Sequence, residues 1–490
     1  MKLLRMLGIA VLAMSAVTAA TAQTWQRTTN NPPENLGAML LLTDGTVIAH
    51  QENDQNGNVA SLRWYRLTPD SSGSYLNGTW TRIADMPSGY GPLFFGSAVL
   101  PDGRVIVEGG EYNQFGNGFT KLGAIYDPVA NTWASVTAPS GWNNIGDAST
   151  VVLFNGTLML ANTTTRQAAL LNASTLTWTA TGTGKYDSND EEGWTLLPNG
   201  KVLTVDAYVD RNLPTGTNYE LYDSTGTWTV PGTTPVQLWD STNCGGSHEV
   251  GPGTMMANGT VFYAGARGCG PGHTAVYTPG SDSWVAGPDF PGQFDVADGP
   301  SALETNGNVI VFASPGVFEA GGEIFEWNGS SLTQIAGPPN GVNDSSFQGH
   351  LMMLPNGQIM FTDYTTDVEL FTSAGSPYTG FTPTLLLPSI TMTHGTTVKI
   401  NGTNFNGASQ NNFYGDDYQN ATNYPIVKFT NVASGHVVFG RTHGHSTMAV
   451  GYHGPTYTFV DIPSAIELGQ THIQVIANGI ASSNYTVVIN

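Results

Sequence analysis

The sequence is short of three things. It has only two cysteines in 490 residues, Cys244 and Cys269. A dense disulfide scaffold and a cysteine-built zinc or iron–sulfur centre are therefore excluded, and an isolated pair is most simply one structural bridge. Positive charge is scarce as well. Sixteen Lys and Arg stand against 37 Asp and Glu, for a formal net charge of −21. Such a surface repels phosphate backbones, so nucleic acid is not an expected partner. Long apolar runs are missing too. The longest, Leu7 to Val17, is too short to span a bilayer, and no membrane insertion is expected. It follows Lys2 and Arg5 and precedes the small-residue stretch Ala20-Thr21-Ala22. This is the pattern of an export leader over residues 1–22, cleaved near Ala22, and it implies a secreted or periplasmic protein beginning near Gln23. The 60 Gly and 28 Pro fit many tight hairpins.

What the chain has is a repeat. Seven times an apolar run meets an Asp-Gly or Asn-Gly turn and continues as a second apolar strand. The turns are Asp44-Gly45, Asp102-Gly103, Asn155-Gly156, Asn199-Gly200, Asn258-Gly259, Asn306-Gly307 and Asn356-Gly357. An aromatic strand and then a Trp-centred strand follow, with Trp80, Trp133, Trp178, Trp228 and Trp284 in turn and Leu332 in the sixth place. Four strands in about 50 residues make one propeller blade of kelch size. The seventh repeat lacks its outer strand, and Gln23 to Arg27 resembles the segment around Trp80, so the N-terminus is expected to close the ring. A Pro-rich linker from Ser376 to Pro388 ends the repeats, and Val398 to Phe405 and His472 to Asn490 read as strands of a separate sandwich. The expected fold is all-β: a seven-bladed kelch-type β-propeller over residues 23–378, then an immunoglobulin-like early-set β-sandwich over 379–490. The protein is expected to act as a monomer.

In a propeller the innermost strand of each blade starts at the channel mouth. Counting back nine or ten residues from each turn glycine gives Asp147, Glu191, Glu249 and Asp298 on blades three to six. Glu192 and His248 are their neighbours, while Phe94 and the pair Phe347 and Gln348 mark blades two and seven. The mouth is thus expected to be acidic on one side and apolar on the other, with Phe94, Glu192, His248 and Gln348 as binding residues. Clustered carboxylates need a cation, a basic side chain or shared protons. They suit a hard metal such as Ca²⁺ or Mn²⁺, or a general acid/base pair. A second group lies in the last domain: Arg441-Thr442-His443-Gly444-His445-Ser446. Histidines at i and i+2 on an extended segment face the same way. His443 and His445 are candidate metal ligands, with Arg441 and the four acids as candidate catalytic groups. Arg441 among the acids would equally make a structural plug. Tyr414-Gly415-Asp416-Asp417-Tyr418 reads as a loop insertion, with bordering the mouth or binding a cation as the alternative.

Seven such blades, a channel and a closing sandwich resemble the galactose oxidase and glyoxal oxidase family. In that family a loop of the last domain carries a copper-binding histidine into the channel. Thr442-His443-Gly444-His445-Ser446 resembles the T-H-G-x-S stretch of that loop, with His443 at the matching position. The family's Tyr-His pair is replaced here by Phe347 and Gln348, and its redox tyrosine and cysteine positions by Phe94 and Leu36. Phe cannot supply an oxidisable phenol, and Gln and Phe are poor donors to Cu(II). The resemblance therefore implies the fold without the copper-radical mechanism. Three functions stay open: an exported enzyme acting on a glycan or small polar substrate, a non-catalytic binding module, and a copper oxidase with altered ligands.

Overall fold

Each Asp-Gly or Asn-Gly dipeptide closes a hairpin in the same way. The glycine amide bonds the carbonyl three residues back, as Gly45 does to Leu42 and Gly357 to Leu354, and the seven glycines hold φ between 75° and 94°. The preceding side-chain oxygen accepts the amide two residues on, as Asp44 does from Thr46 and Asn155 from Thr157. Left-handed backbone is cheap only for glycine, and a short side-chain acceptor mimics a backbone turn, so both residue types recur. The computed structural model describes residues 23–53, 59–114, 116–207, 217–240, 248–267, 270–316, 318–387 and 390–490. The leader residues 1–22 and both Cys244 and Cys269, with their expected bridge, lie outside the described residues.

Seven antiparallel sheets make the blades of a β-propeller, each ordered from an inner to an outer strand. The seventh is completed by the N-terminal strand Thr24–Arg27, which pairs with Glu369–Thr372 in the register Trp25 to Phe371 and Arg27 to Glu369. Trp133 Nε1 bonds the carbonyl of Ala84 and Trp178 Nε1 that of Thr137, each just past the outer strand of the preceding blade. Trp25 Nε1 makes the same bond to Ala336 beyond blade six, at 2.7 Å. These three indoles pack their bodies within a blade and tie their polar edges to the preceding one. The third-strand aromatics pack on these tryptophans: Tyr126 on Trp133, Tyr222 on Trp228 and Tyr277 on Trp284, with centroids 5.0–5.3 Å apart.

Beyond the propeller, the strands other than Asn412–Phe413 form one curled sheet that folds over a core of Leu385, Ile400, Val427, Phe429, Val460, Ile473, Val475 and Val487. This is the β-sandwich. No helix of the described residues is long and apolar enough to cross a membrane.

Candidate active site in the propeller channel

The acids precede the inner strands and the glycine turns follow them, so the two groups lie at opposite ends of the channel. The sandwich docks on the turn end. Thr442 N bonds Thr43 O, Gly444 N bonds Pro101 O and Met448 N bonds Phe154 O, all three acceptors lying in blade turns. This corrects the expected position of Arg441, His443 and His445. Arg441 pairs with Asp461 at 3.1 Å and donates to the carbonyl of Asp102. His443 Nε2 lies 3.2 Å from the other Asp461 oxygen, and its ring stacks on Phe459. His445 bonds Thr458 Oγ1 at 2.8 Å, and burial, helped by His443 and Arg441, pushes its pKa down to about 3. Arg441 fastens the sandwich to the second blade's turn, the two histidines are held by partners within the sandwich, and all three stand away from the acids.

A different segment enters the channel. Every residue from Asn404 to Asn420 is buried, although the stretch is rich in amides and carboxylates. The inner strands of a propeller leave one backbone edge unpaired toward the axis, and buried amides and carbonyls must be satisfied. This finger satisfies them. Asn412–Phe413 adds a strand to blade six, pairing with Ala302 and Ser301. The side chain of Gln410 accepts from Leu196 N at 2.7 Å, that of Asn412 accepts from Met353 N at 2.8 Å, and that of Asn420 donates to Leu351 O at 3.0 Å. Ser97 donates to Gln419 O, and Tyr418 N bonds Phe95 O. At the tip a Cβ on Gly415 would stand 2.3 Å from Asp298 Oδ1, and one on Gly193 2.0 Å from Gly415 O. The paired glycines let the finger pass against blades four and six.

The tip delivers Asp416 and Asp417 to a cavity of about 340 Å³. There they meet Asp147, Glu191, Glu249 and Asp298, with Glu111 also in the wall. Phe94, Tyr112, Phe318 and Phe347 form the aromatic side. The structure therefore brings the four blade acids to one place and adds two from the stretch read first as a loop insertion, with the mouth as its alternative place. The signal for them was the amide-rich run Gln410-Asn411-Asn412 with Gln419-Asn420, whose short polar side chains suit bare strand edges.

Three other expected members sit elsewhere. Glu192, next to Glu191, turns away from the cavity to Lys185 at 2.8 Å. His248 stacks on Trp239 with centroids 5.1 Å apart, and the side chain of Gln348 accepts from Ser345 N at 2.9 Å, capping a short 3₁₀ turn. None of the three lines the cavity.

No Lys, Arg or His lines the cavity among the described residues. Burial, and then mutual repulsion, push the carboxyls of Asp147, Glu191, Asp298 and Asp416 well above the usual range, and Asp417 likewise. Asp147, Asp416 and Asp417 are all more than nine-tenths buried. Asp147 Oδ1, Asp416 Oδ2, Asp417 Oδ1 and Asp298 Oδ1 have no hydrogen-bond partner among the described residues. Phe94, Glu191 and Asp298 hold φ of 52°, 58° and 43°, a conformation that costs non-glycine residues and gathers at functional sites. The arrangement can hold hard cations or share protons between carboxyls. It does not fit copper, which favours nitrogen and thiolate donors over an all-carboxylate set.

A second acidic cluster, Asp187, Glu192, Asp206 and Glu220, lies inside blade four. Its centre is filled by the Lys185 ammonium, 2.9 Å from Asp187 and bonded to Glu192 and Glu220. This is a structural ion cluster.

Fold and site together define a seven-bladed propeller protein with a β-sandwich whose finger plugs the channel and completes an acidic cavity. The chain is similar in structure to a fungal alcohol oxidase of the AA5 family, solved in complex with copper, at 13% identity and TM-score 0.52, covering 96% of this chain and 99% of that one. A streptogramin B lyase structure is matched at 10% identity and TM-score 0.48, covering 72% of this chain and 98% of the lyase. No family model matches the sequence, and a search of curated proteins finds no match. At such identities the likeness to the oxidase extends to the fold alone, a β-propeller followed by a β-sandwich.

Proposed function

We propose that this is an exported protein that holds a hard divalent cation, Ca²⁺ or Mn²⁺, at the carboxylate end of its channel. A glycan or related small polar substrate meets the cation there. The chemistry is metal-assisted or acid/base, without a copper radical. One observation carries the reading: seven carboxylates from five blades and the finger face one cavity whose described lining holds no basic residue. Oxygen-only donor sets of this kind select hard cations. The aromatic wall of Phe94, Tyr112, Phe318 and Phe347 offers flat apolar faces for the less polar side of a sugar ring, Phe318 being 48% exposed.

Calorimetric titration of the full chain with Ca²⁺ and with Mn²⁺ tests the cation. Saturable binding is expected. Asp416→Asn is expected to weaken it at least tenfold, while His443→Ala, at the other end of the channel, leaves it unchanged. Absence of binding, or a loss in His443→Ala equal to that in Asp416→Asn, would overturn the reading. Incubation with a panel of oligosaccharides then separates enzyme from binding module. Chelator-sensitive turnover supports the enzyme, and cation-dependent retention without turnover replaces it with the binding module.

A further inference from the structure

We propose that the cavity holds two divalent cations bridged by the carboxylate of Glu191. The inference rests on the cation reading above and sharpens it to a count and a geometry. Oxygen atoms of Asp147, Glu191 and Asp416 lie within 4.8 Å of one another, and so do those of Glu191, Glu249 and Asp298. Two oxygens on opposite sides of one Ca²⁺ stand about 4.6–5.2 Å apart, so each triad is sized for a cation. Glu191 is common to both triads. It shares a hydrogen bond with Glu249 on one side and feels the charges of Asp416 and Asp147 on the other. Its left-handed backbone, φ 58°, fixes it between them.

Each half of the pair also has acceptors without a partner among the described residues. Asp147 Oδ1 and Asp416 Oδ2 belong to the first half, on side chains more than nine-tenths buried, and Asp298 Oδ1 belongs to the second. Charge balance favours the pair. One divalent cation leaves five of the seven negative charges of Glu111, Asp147, Glu191, Glu249, Asp298, Asp416 and Asp417 uncompensated, and two leave three. A carboxylate-bridged pair spans about 3.5–4 Å and clamps one oxygen-bearing ligand from two sides. The first half depends on the finger and the second on blades five and six, so docking of the sandwich completes the pair.

Mn²⁺ is the probe. The full chain, freed of metal and dialysed against Mn²⁺, is expected to retain two ions with a spin-coupled paramagnetic resonance signal. Asp298→Asn and Asp147→Asn are each expected to retain one, with the uncoupled six-line signal. Glu191→Gln is expected to weaken both sites at least tenfold. These amide replacements keep shape and remove repulsion, so the metal-free variants should melt no lower than the parent, which shows that they fold. One uncoupled Mn²⁺ in the parent protein would overturn the bridged pair while sparing the cation reading. No retained Mn²⁺ would overturn both.

Discussion

Lys185→Met is expected to lower the unfolding free energy at pH 7 by about 3–5 kcal/mol, the cost of removing one partner from a buried charge cluster. The methionine stem fills much of the same volume, so the loss is electrostatic. Lys185 is fully buried, as are Glu192, Asp206 and Glu220, and Asp187 is 5% exposed. Burial alone would pull the ammonium pKa down, but the four carboxylates raise it well above its usual value. Its contribution is therefore fully present at neutral pH and fades only in strong alkali. Without the ammonium the acids must take up protons or break the blade. Burial already holds Glu192 and Asp206 well above the carboxylate range, so acidification supplies the missing protons readily. The deficit of the variant should shrink from pH 7 to pH 5, and Glu220→Gln in the same chain should recover part of it. Urea unfolding followed by tryptophan fluorescence measures this, since Trp228 lies 5.5 Å from the ammonium. A deficit below about 1 kcal/mol, the range of an exposed pair, or one indifferent to pH, would show that the cluster is not a charged core.

The blade frame is legible in the sequence because its chemistry is local. Each turn needs a left-handed glycine and an acceptor just before it, and the apolar strands beside it have little freedom of register. Counting back from Gly200 or Gly307 along an inner strand is then a ruler, and it ends at Glu191 and Asp298 on the cavity wall. The ruler fails one residue away. It cannot tell that Glu192 points to Lys185, because that cluster is assembled from a loop at Asp187, a strand end at Asp206 and a strand at Glu220. The finger is harder still. Amide side chains bonding bare strand edges have no periodicity, and Tyr414 to Tyr418 carries no turn signal beyond Gly415. The histidine-rich stretch was the more conspicuous motif, yet its Thr442, Gly444 and Met448 amides spend themselves on the blade turns. A short motif shared with a copper-binding loop says nothing about which end of a channel it meets.

Stability is expected to fall as pH rises from about 4 to 9, and a distinct share of the loss should arise where the ring closes. Glu304, Asp344 and Glu369 are buried around the seam between blades six and seven. Burial, and next to it the charges of Asp367 and Asp363, push Glu369 up to about 9 despite Arg27. Asp344, beside Asp363, reaches about 8, and Glu304, with Glu326 nearby, about 7. In the unfolded chain these groups ionise near pH 4. Between the two values the folded state binds more protons than the unfolded one, so stability present below about pH 4 is lost as pH climbs towards 7, 8 and 9 in turn. Each pH unit in that window costs about 1.4 kcal/mol per group before relaxation. The N-terminal strand bears the consequence directly: Arg27 faces Glu369 in register and pairs with Asp367, while Gln23 reaches Glu326 at 2.6 Å. General repulsion in a chain of net charge −21 has the same sign, so the slope alone does not locate the effect. A variant carrying Glu304→Gln, Asp344→Asn and Glu369→Gln does. Its melting temperature should fall less steeply than the parent's from pH 5 to 8, the raised channel carboxyls supplying the remaining slope, and hydrogen exchange of Thr24–Arg27 should lose its pH dependence beyond the intrinsic rate. A parent protein that melts higher at pH 8 than at pH 5, or a triple variant with the parent's slope, would place the titrating groups elsewhere.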